Sequence, residues 1–201
     1  LSVSSPANAQ GDWHTEEVEF ENAGAVLSGT LFMPTTTPPV ATVVLIHGSG
    51  PEERMAWFAA LLAADGLAVM TYDKRGVGLS GGVYEQENNV SSSNLSLLAS
   101  DAAAAFAAVS KHPRLAEIPG GFAGFSQAGW IAPLAAVQSP SATFIALWSG
   151  AVCTVDEEIH FSALAQNYPS SLETYSNEGF SEFLASVDYR PDDFDPRHGL
   201  S

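Results

Sequence analysis

Gly124-Phe125-Ser126-Gln127-Ala128-Gly129 decides how this chain is read. Residues 120–125 form a short run of small and apolar side chains, and residues 127–138 carry apolar side chains at helical spacing. A serine at the junction, with Gly124 two residues before it and Ala128 two residues after it, fits a strand that turns sharply into a helix. Such a turn holds the serine backbone in a strained conformation and lifts its Oγ clear of the sheet. Ser126 is therefore a candidate nucleophile, and the plainer alternative is a helix N-cap serine.

The elements around this junction repeat one theme. Ala41-Thr-Val-Val-Leu-Ile46 is a continuous apolar, β-branched run, as expected of a strand buried on both faces of a parallel sheet. His47-Gly48-Ser49-Gly50-Pro51 breaks it, and a helix is expected over residues 55–64, stopped at Asp65-Gly66. Residues 67–72 read as the next strand. Residues 73–82 must be loop, because four glycines in ten positions suit neither regular structure. Ser91 to Asn94 offers N-caps for an alanine-rich helix over 95–111, ended by Pro113. Strand 120–125, helix 127–138 and strand 142–148 follow. Ahead of all these, residues 16–22 and 26–33 read as a hairpin through Ala23-Gly24-Ala25. An antiparallel start followed by alternating strands and helices predicts an α/β fold with a mostly parallel sheet.

After Gly150 the pattern changes. Residues 156–167 look helical, 172–187 are polar with scattered Phe and Leu, and 188–201 have loop composition. The expected organisation is a leader over 1–15, a core over 16–150, and a cap segment with a trailing loop over 151–201. The exposed edge of a sheet ending near Trp148 would be apolar.

A chain of 201 residues with 46% hydrophobic and 15% charged side chains suits one globular domain. No apolar run approaches the roughly 20 residues needed to cross a bilayer. Seven Lys and Arg against 23 Asp and Glu give a net charge of -16, which argues against nucleic acid as a partner. Solubility is the simplest use of that acidity. Cys153 is the single cysteine, so an intramolecular disulfide or a thiolate metal cluster is excluded. Ala7-Asn8-Ala9 has the small-x-small pattern that signal peptidase reads, so the start is expected to be a signal-peptide remnant of a secreted or periplasmic protein.

Three motifs, each at the end of an expected strand, together carry a resemblance: His47-Gly48-Ser49-Gly50, Asp73-Lys74-Arg75-Gly76-Val77-Gly78-Leu79-Ser80, and Gly124 to Gly129. In this order they resemble the α/β-hydrolase superfamily. Ser126-Gln127-Ala128-Gly129-Trp130-Ile131-Ala132-Pro133-Leu134-Ala135 and the Ser149-Gly150 strand end are similar to secreted bacterial hydrolases of the dienelactone-hydrolase-like and serine aminopeptidase (S33) groups. The resemblance implies an α/β-hydrolase fold with flanking helices and the start of a cap. It also implies a serine hydrolase acting on carboxylic esters, with thioesters and amides as further substrates. The expected partner is a small acyl substrate, with no metal or organic cofactor.

The resemblance implies roles residue by residue. Ser126 is the nucleophile, and the backbone N–H groups of Gln127 and Ser49 form the oxyanion hole. His47 is expected to be structural rather than the catalytic base. Asp73, Lys74, Arg75 and Gly76 are expected to brace a loop, since they lack phosphate-loop spacing. The related sequences usually carry glycine where this chain has Ala128, which asks for slightly more room between strand and helix. Acid and then histidine should follow the serine along the chain. Asp156, Asp188, Asp192, Asp193, Asp195, His160 and His198 are the downstream candidates, and neither histidine is assigned. Phe194-Asp195-Pro196 resembles the segment just before the strand that bears the acid, so the last strands and both partners of Ser126 are expected to lie beyond Ser201. The rival expectation is a scaffold kept for binding without catalysis. Trp13, Trp57, Trp130 and Trp148 are expected to pack in the core or a pocket.

Overall fold

The computed structural model describes residues 13–86, 90–151, 153–155, 157 and 158. Its strands are β1 (Trp13–Asn22), β2 (Ala25–Pro34), β3 (Thr42–Ile46), β4 (Ala68–Tyr72), β5 (Gly120–Ser126) and β6 (Phe144–Gly150). Its helices are α1 (Ala56–Ala64), α2 (Ser92–Val109) and α3 (Ala128–Val137). The sheet order is β1-β2-β4-β3-β5-β6. β1 and β2 form an antiparallel hairpin, β2 runs antiparallel to β4, and β4, β3, β5 and β6 are mutually parallel. Ala23 and Gly24 close the hairpin with φ of 45° and 74°. Two consecutive positive φ values give the turn whose twist matches that of the flanking strands.

The chain runs from β3 outward to β4, then crosses back over β3 to lay down β5. Strand order therefore reverses between β3 and β5, and open α/β sheets bind ligands in the crevice beyond the strand ends at such a point. Alternation along each strand divides the core. Val44, Ile46, Met70 and Phe122 face α2 and α3, while Val43, Leu45, Val69 and Ala123 face α1. Ala99, Ala102 and Ala105 of α2 are fully buried, so the small side chains expected to favour helix also let it lie close on the sheet. Ser91 caps α2 by accepting the Asn94 N–H at 3.3 Å.

Two boundaries move by three residues relative to the sequence reading. β1 begins at Trp13, whose ring lies 5.0 Å from that of Phe32. Residues 13–15 thus belong to the core sheet and not to the expected leader of 1–15, while residues 1–12 lie outside those described. α2 starts at Ser92 rather than Leu95. Beyond β6, Thr154 and Glu157 form a reciprocal cap: the Glu157 carboxylate accepts the Thr154 N–H at 2.8 Å, and Thr154 Oγ1 accepts the Glu157 N–H at 3.4 Å. The remainder of the expected cap, residues 159–201, and the question of later strands fall outside the described residues. Among those described, β6 is an edge strand, with Ile145, Leu147 and Trp148 exposed by 39%, 38% and 40%.

Candidate active site

Ser126 is the last residue of β5, is exposed, and has a φ of 53°. A non-glycine residue in the left-handed region is uncommon and needs its surroundings to hold it. Gln127 and α3 follow at once, so the chain passes from strand to helix in a single residue. Close packing makes the turn possible. A Cβ on Gly124 would stand 2.5 Å from the Ala128 Cβ and 2.6 Å from the Ile46 carbonyl oxygen. The missing side chain at Gly124 thus accommodates the methyl at Ala128, which is completely buried. On the other flank, Ser126 pairs with Gly150 across a register shift, and Ser149 also has a positive φ, 51°.

Gln127 is buried and stands at the N-terminus of α3, where the first N–H groups have no partner within the helix. The loop after β3 arrives beside it, because β3 and β5 are neighbours with Ile46 opposite Gly124. In that loop the Gly48 N–H donates to the Glu52 carboxylate at 3.2 Å, and Ser49, the next residue, is exposed. The two expected oxyanion donors, at Gln127 and Ser49, therefore belong to adjacent strand ends on either side of the switch point.

Lys74 joins these two segments. Its buried Nζ donates to the Gly48 carbonyl at 2.6 Å, to the Gly50 carbonyl at 2.9 Å and to Gln127 Oε1 at 3.4 Å. Burial pulls its ammonium down to about 8 against the opposing influence of Glu52. Lys74, Tyr84, Leu98 and Gln127 line a hollow alongside. By sequence Lys74 belongs to a bracing loop, and what it grips is set only by the meeting of that loop with the loops after β3 and β5. A lysine just past a buried strand, in a chain with seven basic residues, was the available signal.

His47 is buried and donates from Nε2 to the Tyr72 carbonyl at 2.5 Å, with its ring edge-on to the Tyr72 ring. Burial and then Lys74 lower its pKa to about 4, so it is neutral at physiological pH and committed to β4. His14 and His112 both pair with Glu16, near the start of β1 and the end of α2, at the opposite end of the sheet from Ser126. Asp156, Asp188, Asp192, Asp193, Asp195, His160 and His198 lie outside the described residues.

The loop after β4 is braced from both sides. Asp73 receives a two-pronged contact from Arg54, Nε to Oδ1 at 3.0 Å and Nη2 to Oδ2 at 2.8 Å, and accepts the N–H groups of Arg54 and Leu79. Burial alone would raise the Asp73 carboxyl, but Arg54 and those N–H donors outweigh it and hold it at about 2. Arg75 forms a two-pronged ion pair with the fully buried Asp101 of α2 and donates to the Asn22 carbonyl at 3.1 Å. The tryptophans divide: Trp130 donates Nε1–H to the Cys153 carbonyl at 2.9 Å, while Trp57 is 75% exposed rather than packed in the core.

The family model for serine aminopeptidase, S33, matches residues 37–180. No curated protein matches the chain. Among solved structures, acetyl xylan esterase 1 from Thermoanaerobacterium sp. superposes with a TM-score of 0.62 at 16% identity, covering 94% of this chain and 62% of that one. Dienelactone hydrolase from Anabaena variabilis gives 0.56 at 20% identity, covering 69% and 64%. A dienelactone hydrolase-like promiscuous phosphotriesterase from metagenomic libraries gives 0.57 at 17% identity, covering 72% and 62%. The chain thus spans less than two thirds of the length of each of these structures. They share its fold, a mostly parallel sheet flanked by helices.

Proposed function

Because the chain belongs to the serine aminopeptidase S33 family and has the α/β-hydrolase fold, we propose that it is a serine hydrolase that transfers the acyl group of a small carboxylic ester to water through Ser126. Thioesters and amides are further substrates of the same chemistry. The observation that carries the reading is the positive φ of Ser126 at the junction of β5 and α3, beside the switch point of the sheet.

The chemistry follows from the arrangement. Ser126 Oγ bonds to the carbonyl carbon while its proton passes to a base. The carbonyl oxygen becomes an oxyanion that accepts from the Ser49 and Gln127 N–H groups. Collapse breaks the ester C–O bond, the leaving alkoxide takes up the proton from the base and departs as the alcohol, and water then attacks the acyl-serine to release the carboxylic acid and restore Ser126. The acid and base that serve this cycle are to be sought among or beyond the downstream Asp and His residues. We also place the protein outside the cytoplasm, on the Ala7-Asn8-Ala9 pattern. The intact mass of the protein made from its full gene in a secreting host tests this, and retention of the leader would refute it.

Labelling the full chain, made from the whole gene, with a fluorophosphonate tests the central reading. Mass spectrometry should find the adduct on Ser126, and Ser126→Ala should abolish labelling and lower ester hydrolysis by about 10⁴-fold or more. A folded full chain that neither labels nor hydrolyses short-chain p-nitrophenyl esters would point instead to a scaffold kept for binding.

A further inference from the structure

We propose that Lys74 is the positioning residue of the oxyanion hole, fixing the Gly48–Ser49 peptide so that the Ser49 N–H points at the developing oxyanion. The inference rests on the hydrolase reading above and adds a residue to it. Its basis is the covalent geometry of the peptide group. The Gly48 carbonyl and the Ser49 N–H belong to one planar unit, and in a trans peptide they point in opposite directions. Every peptide bond among the described residues is trans. A donor that grips the Gly48 carbonyl therefore sets the direction of the Ser49 N–H as well. Lys74 Nζ makes that grip at 2.6 Å, the shortest of its three hydrogen bonds.

The other two contacts fix the grip in place. The Gly50 carbonyl, at 2.9 Å, holds the loop on the far side of Ser49, so the segment that contains the aiming peptide is held both before and after Ser49. Gln127 Oε1, at 3.4 Å, ties the same ammonium to the residue that supplies the second N–H. One nitrogen thus spaces both halves of the hole, which come from loops 78 residues apart in sequence and from different strands. The three hydrogens of the ammonium match three acceptors. Gly48 and Gly50 carry no side chains, and the Glu52 carboxylate accepts from the Gly48 N–H, so none of these three residues offers a side-chain donor to the Gly48 carbonyl.

A charged donor on a carbonyl also polarises its amide. Electron density drawn toward the Gly48 oxygen leaves the Ser49 N–H a better donor, as in any hydrogen-bonded chain. The ammonium therefore acts on the oxyanion through one peptide without touching it. A residue that only stabilised the fold would not be expected to favour the transition state over the bound substrate.

The test compares the full chain with Lys74→Met and Lys74→Arg. Methionine keeps most of the stem and removes the donor, and arginine keeps a charged donor on a planar fork that cannot meet three converging acceptors in the same way. For p-nitrophenyl acetate, kcat should fall about 10- to 100-fold in Lys74→Met, approaching the loss of a whole oxyanion donor, with KM within about 3-fold of the wild type. The rate of fluorophosphonate labelling at Ser126 should fall in parallel. Lys74→Arg should also lose kcat with little change in KM, and it carries the test alone if Lys74→Met does not fold. A melting temperature that falls while kcat per folded molecule stays unchanged would overturn the proposal and leave Lys74 a structural brace. A wild type that neither labels nor hydrolyses the ester overturns the hydrolase reading and this inference with it, whereas an active wild type with unaffected variants overturns this inference alone.

Discussion

His47 stands beside the candidate oxyanion loop, yet its surroundings remove it from proton transfer. Burial, then Lys74, push its pKa to about 4, and the pull of the Tyr72 carbonyl and Asp73 in the other direction is too weak to compensate. The consequence for stability has a definite sign. The folded state excludes a proton that the unfolded chain binds below its ordinary pKa of 6.5, so stability is full above pH 6.5 and is lost as pH falls toward 4. The loss from this group alone is on the order of 3 kcal/mol. Asp73 acts in a second window: its depressed carboxyl stabilises the fold above its unfolded pKa of 3.8, and that contribution disappears as pH falls through about 2. Urea unfolding measured from pH 8 to 4 should show the first decline, and His47→Asn should flatten it. A decline of equal slope in the variant would assign it to other groups. The motif at Ser126 is legible in sequence because its requirements are local: Gly124 near the strand end, serine at the bend, and Ala128 and Gly129 in the first turn of the helix. The role of Lys74 was not, because it exists only where the loops after β3, β4 and β5 meet.

Elements rather than residues explain why the glycine loop after β4 has a fixed shape. It is held on one side by Arg54 and Asp73 and on the other by Arg75 and Asp101, the latter joining it to α2 and, through Asn22, to the hairpin turn. Asp101 is completely buried, so Asp101→Ala would leave the Arg75 guanidinium without its partner in a low-dielectric site. Breaking a buried pair in this way costs about 3–5 kcal/mol. A chemical denaturation midpoint shifted accordingly, with an unchanged slope, would confirm it, and a loss under 1 kcal/mol would show that water reaches Arg75 readily. The parallel strands and their helices were read from sequence because buried strands are continuous apolar runs and the helices between them are alanine-rich or apolar. The true start of β1 was not read, since Trp13, His14 and Thr15 show no strand pattern until Trp13 meets Phe32 across the hairpin.

At the scale of the molecule, the described sheet ends on one side in a strand whose apolar side chains are two-fifths exposed. Edge strands of this kind are templates for pairing with other chains. Sedimentation velocity of residues 1–201 should therefore show concentration-dependent association that Ile145→Lys reduces, and a monomer at all concentrations would show that residues outside those described cover this edge. The acid and base that the proposed mechanism requires are not legible in the sequence, for a physical reason: in this fold they come from later segments, far along the chain and brought back only by tertiary packing. The register shift between β5 and β6 has a consequence of another kind. Ser126 and Ser149, on neighbouring strands, both enter the left-handed region where the ladder falls out of step, and Trp130 ties α3 to Cys153 just past β6. The two strand ends should open to solvent together, so their amide protons should share one opening free energy and one denaturant dependence. A covalent adduct on Ser126 would then slow exchange in β6 as well, making that strand's amides a remote gauge of whether Ser126 is occupied.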